Sequence, residues 1–335
     1  MKNSLRIALS LGLSAIFLWI ALHGVSWDEA RASLREAHLW VLPPAFLVGL
    51  LSLYFRALRW GVLLRPFAHV AAQPLMSATA IGFAANMLLP LRAGEVIRPW
   101  LLARKVNLPL AQTLATVALE RLFDMATLLL FFAIATLTLP LPAEWRRYGW
   151  FFLATFVALL ALLVALQQLP ERTIGLVSTL LVPLPERVSS LAERAIRQFA
   201  EGLASLRSGA AIALALGYSL LVWLTLAITF GLGISALELP VPWIRGALSL
   251  TAIVAIAVAI PGGPGFIGMF QVGCEVALGV YGVGKSVAFG YSVLVHLIQF
   301  ASSVAFGLYY FLRENVSLSE LRSEASAAAG ESTES

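Results

Sequence analysis

Charge is scarce in this chain. Only 12% of its 335 residues are Asp, Glu, Lys or Arg, and 60% are hydrophobic, against about 25% charged and about 45–50% apolar in soluble domains. A soluble fold of this length has no interior large enough to hide that much apolar surface, so a soluble enzyme is excluded. Cysteine is scarcer still: Cys274 stands alone, which rules out an intrachain disulfide and a cysteine-built zinc site. His23, His38, His69 and His296 show no metal-ligand spacing. No metal triad, serine elbow or paired catalytic histidine appears. No metal, no cofactor and no nucleic-acid partner is expected, and enzymatic activity is not the favoured reading.

What the chain does have is long apolar runs. They lie near Leu9–Leu22, Leu39–Phe55, Thr127–Leu139, Trp150–Leu166, Ala210–Leu232, Ser249–Ile260 and Val287–Leu312, and they approach or exceed the roughly 17–25 residues that cross a hydrocarbon core. The opening, with Lys2 and Arg6 before an apolar stretch, could serve as a secretory signal, but Ala21-Leu22-His23 is a poor small-residue cleavage site. It reads as a first span.

Two segments carry breakers. Met76–Pro90 runs into Leu91-Arg92-Ala93-Gly94-Glu95, and Ser249–Ile260 runs into Pro261-Gly262-Gly263-Pro264-Gly265. Broken backbone at membrane depth is tolerated only where protein buries it or a cavity needs it, so both read as re-entrant hairpins. With the N-terminus inside, that layout places 16 of the 23 basic residues inside and 6 outside (Arg31, Arg35, Arg146, Arg147, Arg245 and Lys285), leaving Arg121 in the membrane. Reading Met76–Pro90 as a full crossing would put the clusters at Arg92–Lys105 and Arg172–Arg207 outside, against positive-inside bias. The expected fold is an all-α integral membrane bundle of about six full spans plus two re-entrant hairpins. Its halves, about 1–140 and 148–312, have opposite topology, and the breaks share a proline and a glycine four positions later: Pro90 with Gly94, Pro261 with Gly265. Inverted repeats with broken helices near the midplane are a recurring plan of secondary transporters. Residues 185–208 have the apolar spacing of an amphipathic helix lying on the inner face or packed on the protein. The 317–335 tail has a disordered composition, so the membrane domain is expected to span 1–316 with both termini cytoplasmic.

The stretch from Asn86 to Asp124 concentrates the candidate chemistry. Arg92, Glu95 and Arg98 follow the proline break at spacings of three, which one helical turn would put on one face. Glu120, Arg121 and Asp124 open the next long span, where ionisable groups are expensive and face partners or a water-filled path. Two readings stand side by side. The six charges lock hairpin to span as ion pairs, or Arg92, Arg98 and Arg121 also hold an anionic headgroup while Glu95, Glu120 and Asp124 orient them. Arg121 is expected to have the fewest routes to water. Glu275 and His296 are the remaining ionisable residues at depth, a candidate pair for proton coupling or two satisfied packing contacts. Gly279–Ser286 fits the nucleotide-binding pattern G-x-x-x-x-G-K-S, but it lies in a short link between membrane segments with no parallel-sheet domain following, so no nucleotide is expected.

The run N-x-L-L-P-x-R-A-G-E from Asn86, then R-x-x-L-L-x-R from Arg98, then E-R-x-x-D at Glu120–Asp124, resembles the flippase-like transmembrane domain of lysylphosphatidylglycerol synthases and the wider family sharing it. Arg59-Trp60 and P-G-G-P-G-F-I-G at Pro261–Gly268 are similar to that family too, and the likeness extends to about Phe311. The resemblance implies an inner-membrane protein that moves or binds a lipid with an anionic headgroup. Bifunctional relatives append a cytosolic aminoacyltransferase domain, so the short tail implies that transferase activity is absent. Stand-alone relatives occur near hopanoid and glycolipid pathways, which keeps an integral membrane enzyme or an assembly factor of lipid biosynthesis as the alternative.

Overall fold

The computed structural model describes residues 2–138, 143–168, 172, 209–260 and 263–314, and these contain helices and connections but no strand. Pro261, the segment at 185–208 and the tail at 317–335 lie outside the described residues. The helices are α1 (Lys2–Leu22), α2 (Trp27–Arg35), α3 (Leu42–Leu64), α4 (Ala72–Leu88), α5 (Gly94–Val106), α6 (Leu110–Thr138), α7 (Ala143–Gln168), α8 (Gly209–Ala236), α9 (Trp243–Ala259), α10 (Met269–Gly279) and α11 (Lys285–Arg313).

Three of them are long and apolar enough to cross a membrane: α3 with its 3-10 lead-in from Leu39, α8, and α11. Leu11–Leu22 passes only together with Trp27–Arg35, across an 83° bend. That bend follows from the sequence. Gly24 takes a φ of 76°, and the Ser26 side chain then accepts from the Glu29 N–H to start α2, with Asp28 and Glu29 on its positive end. Helix α6, 29 residues with Glu120, Arg121 and Asp124 within it, and α7, 26 residues, are each about 40 Å long at 1.5 Å per residue. Large apolar side chains such as Ile16, Leu47, Phe151, Ile256 and Leu297 stand exposed on the outer helix surfaces, the arrangement a lipid solvent stabilises and water opposes. Trp19, Trp40 and Trp150, all more than 60% exposed, have the amphipathic rings that settle at headgroup level.

Both interruptions fall where the prolines put them. Leu89 turns extended after α4, a 3-10 turn follows at Pro90–Arg92, and Leu91 and Arg92 take φ values of 59° and 54° before α5 begins at Gly94. The second, between α9 and α10, contains a 3-10 turn at Pro264–Phe266 with Gly265 at φ 64°. The segments touch: the first turn packs on the second, and the second also lies against α4.

Gly94, expected to be part of the break, is the first residue of α5 after it and also serves close approach. A Cβ there would meet the carbonyl oxygen of Gly82 and, at 2.7 Å, Oδ1 of Asn86, so α4 and α5 fold against each other glycine on glycine. The same small-residue logic joins α4 to α11, where Gly307 faces Ala80 and Ala84.

Helix packing runs in matched pairs across the two halves. Helices α3, α4, α5 and α6 pack in sequence, and so do α8, α9, α10 and α11; between the sets, α4 lies on α11 as α9 lies on α6, and α3 on α11 as α8 on α6. Helices α3 and α8 pack on each other. Each set has its own apolar core, around Trp60, Leu75, Ile81, Ile97 and Leu101 in the first and around Phe230, Leu250, Phe270, Cys274 and Tyr291 in the second.

Candidate functional site

Three elements of the first set and one of the second bring charges together. Glu120 and Asp124 sit four residues apart on α6, one turn above the other on one face. Arg98 of α5 closes on Glu120 through two parallel hydrogen bonds, Nη1 to Oε2 at 2.6 Å and Nη2 to Oε1 at 3.1 Å. Its guanidinium also lies 4.0 Å over the Trp60 ring, and Trp60 Nε1 donates to Thr116 Oγ1 at 2.9 Å. Arg59 of α3 donates through Nη1 to Asp124 Oδ1 at 2.6 Å and to Ser219 Oγ of α8 at 2.8 Å, while its Nε faces Glu120 at 3.6 Å. Trp223 of α8 adds a bond from Nε1 to Asp124 Oδ1 at 3.0 Å. Arg59 and Glu120 are fully buried, and Arg98 and Asp124 nearly so. Four ions at this depth survive because each carboxylate is met by more than one donor.

The remaining predicted charges are more open. Arg121 reaches Glu95 of α5 at 3.1 Å and Asp124 Oδ2 at 3.4 Å, but its side chain keeps 41% of its surface against 4% for Arg98. This reverses the expectation that Arg121 has the fewest routes to water, because it lies on the helix face next to the one that Glu120 and Asp124 turn inward. Arg92 is not on the helical turn that carries Glu95 and Arg98. With its backbone in the 3-10 turn, it instead donates through Nη2 to the carbonyl of Val258 near the end of α9, and stacks 5.3 Å over Phe266 of the second break. In return, Gly265 of the second break comes against the carbonyl of Met87 near the end of α4, where a Cβ would stand 3.2 Å away.

Glu275 and His296 have separate partners. His296 Nδ1 is 3.0 Å from the Gln271 amide and its ring stacks on Phe270 at 4.5 Å, whereas Glu275 lies 3.6 Å from Lys285. Lys285 donates to the carbonyls of Ile20, in the last turn of α1, and His23, just past its end, at 2.8 and 2.7 Å. The lysine of the nucleotide-binding lookalike is thus a helix cap between α1 and α11. Among the described residues no group of His, Cys, Asp or Glu could hold a metal ion.

Sequence reasoning missed Arg59 as a site residue and did not separate out Arg56. It ended the second apolar run at Phe55 and counted both arginines among the inner connections. Helix α3 continues to Leu64 and buries Arg59 completely. The available signal was that Leu58, Trp60, Val62, Leu63 and Leu64 keep the segment apolar around the two charges. Trp223 and Ser219 carried no signal, being ordinary residues of an apolar span.

Apolar helices long enough to span, large apolar side chains exposed on the outer surfaces and a buried ion network define an integral membrane protein of the all-helical class. The profile of the family described as the lysylphosphatidylglycerol synthase TM region matches residues 7–307, and the chain belongs to that family. It is also 28% identical over 126 residues to the glycosyltransferase AglD of Haloferax volcanii, across 37% of this chain and 20% of that protein. The matched segment is therefore about a fifth of that relative's length.

Proposed function

We propose that this protein binds a lipid with an anionic headgroup and carries it between the leaflets of the inner membrane, with both termini cytoplasmic. The observation that carries the reading is the cluster of Arg59, Arg98, Arg121, Glu95, Glu120 and Asp124 beside the contact of two interrupted helices. Ionisable groups at depth mark substrate pathways, and half-helix ends are where transporters meet substrate charge. Arg92 and Arg121, on the more open side, are assigned to the headgroup. Arg98, whose two-pronged fork is filled by Glu120, is assigned to locking α5 on α6. The matched packing pairs support six spans and two re-entrant hairpins in an inverted repeat, with Arg92 and Gly265 each seated on the other hairpin's first arm.

Proteoliposomes carrying fluorescent phosphatidylglycerol test it. With a membrane-impermeant quencher outside, fluorescence of lipid that began in the inner leaflet should be lost faster with protein than without, as that lipid moves outward, and Arg121→Gln should slow that exchange severalfold. Equal rates with and without protein would retire transport. The second reading, a membrane component of glycolipid assembly, rests on the partial match to the glycosyltransferase and would then be preferred.

A further inference from the structure

Among the described residues, one cation in this region has neither a carboxylate nor a carbonyl to receive its N–H groups. Arg56 lies on α3 one turn before Arg59, eight residues from the helix end at Leu64, which is about 12 Å at 1.5 Å per residue. Its guanidinium sits 4.8 Å from the Phe83 ring centroid of α4 and 6.0 Å from that of Trp223 of α8. Among the described residues no carboxylate is paired with it and no acceptor receives its N–H groups.

The nearby carboxylates cannot supply what is missing. Asp124 and Glu120 are the acids whose field reaches Arg56. Both Asp124 oxygens are occupied, Oδ1 by Arg59 and Trp223, Oδ2 by Arg59 and Arg121. Glu120 is shared between Arg98 and Arg59. Arg59, Arg98 and Arg121 cancel Glu95, Glu120 and Asp124, which leaves Arg92, satisfied by the Val258 carbonyl, and Arg56, which has no acceptor among the described residues. Two aromatic rings stabilise a guanidinium through their faces but accept none of its in-plane N–H bonds, which are the bonds that recognise phosphate two at a time.

We infer that Arg56, held against the rings of Phe83 and Trp223, anchors the phosphate of the headgroup that Arg92 and Arg121 also face, and that its ligand is the phosphodiester of a membrane lipid. This rests on the reading of the protein as a lipid binder and gives that reading its anchoring residue. A lipid carries its phosphate into an apolar site on its own acyl chains, whereas a soluble anion must give up its hydration to enter. The arrangement also fixes an ordering. Arg92, Arg98 and Arg121 have protein acceptors in the absence of lipid, so they adjust or lock, while Arg56 gains its first acceptor from the substrate.

Thermal unfolding of the detergent-purified protein, titrated separately with phosphatidylglycerol, phosphatidylcholine and inorganic phosphate, tests the assignment on wild type, Arg56→Gln, Arg56→Lys and Arg59→Gln. Phosphatidylglycerol should stabilise wild type more than phosphatidylcholine does. Arg56→Gln removes an unmatched cation and orphans no acid, so its lipid-free midpoint should equal or exceed that of wild type, while its apparent affinity for phosphatidylglycerol falls about ten- to hundredfold, the worth of one charged hydrogen-bonding partner. Arg56→Lys should recover part of that loss. Arg59→Gln should lower the lipid-free midpoint, which calibrates what a structural arginine does. If Arg56→Gln keeps the full response to phosphatidylglycerol, or loses lipid-free stability as Arg59→Gln does, Arg56 is not the site although lipid binding stands. If wild type does not distinguish the two lipids, lipid recognition by charge falls with it. Stabilisation by inorganic phosphate alone would overturn the lipid as the source of the phosphate.

Discussion

Arg98 and Glu120 meet through a two-pronged contact with almost no exposed surface, and the worth of such a pair lies in what breaking it leaves behind. Removing one partner strands a buried charge, whereas replacing both with apolar groups of similar volume is often neutral. Arg98→Gln is therefore expected to cost about 3–5 kcal/mol of stability, and Arg98→Met combined with Glu120→Met to return most of it, measured as thermal midpoints in one detergent. Additive losses in the double variant would show that the pair is more than a lock. The polar members of this cluster on α5 and α6 were legible in the sequence because charges in an apolar stretch are conspicuous. Their partner Arg59 was not, because 65 residues separate it from Asp124 and only packing of α3 on α6 brings them together.

The hairpin of α4 and α5 depends on two helices approaching more closely than side chains allow. Gly94 against Gly82 leaves no room for a methyl group, and the obstacle is a backbone carbonyl that cannot rotate away. Gly94→Ala should force the arms apart and destabilise the protein by at least the ~1–3 kcal/mol of ordinary overpacking. Gly217→Ala on α8, where nothing lies within 4 Å of the added carbon, should be neutral or slightly stabilising. Equal melting temperatures for the two variants would refute the close-approach argument. Prolines announced where these helices stop, since a missing N–H and a fixed φ act locally. The role of Gly94 was hidden, because its constraint comes from another helix and not from its own backbone, and Arg92 was misplaced for a related reason: spacing assumes a continuous helix, and the turn at Pro90–Arg92 is not one.

Seen as one object, the molecule is two packed sets of helices joined where α3 meets α8, where α4 meets α11 and where their interruptions touch, and the basic residues between apolar runs set the orientation to be expected in a bilayer. Cys274 is buried and alone, so a Cys274→Ala background gives a clean frame for single-cysteine labelling. A cysteine replacing Arg104 should be labelled only from the cytoplasmic side and one replacing Lys285 only from the opposite side. Labelling of both from the same side would undo the hairpin layout. The sequence by itself determined that the chain lives in a membrane, that two helices break, and that charge gathers around Glu95 to Asp124, because composition, proline and charge act through local chemistry and solvent. Only the tertiary structure decided which arginine each acid holds, that Lys285 caps α1, and that Arg56 is left with two aromatic rings and no acid, because ion pairing at depth is settled by which helix faces meet, and that is a property of the packed bundle.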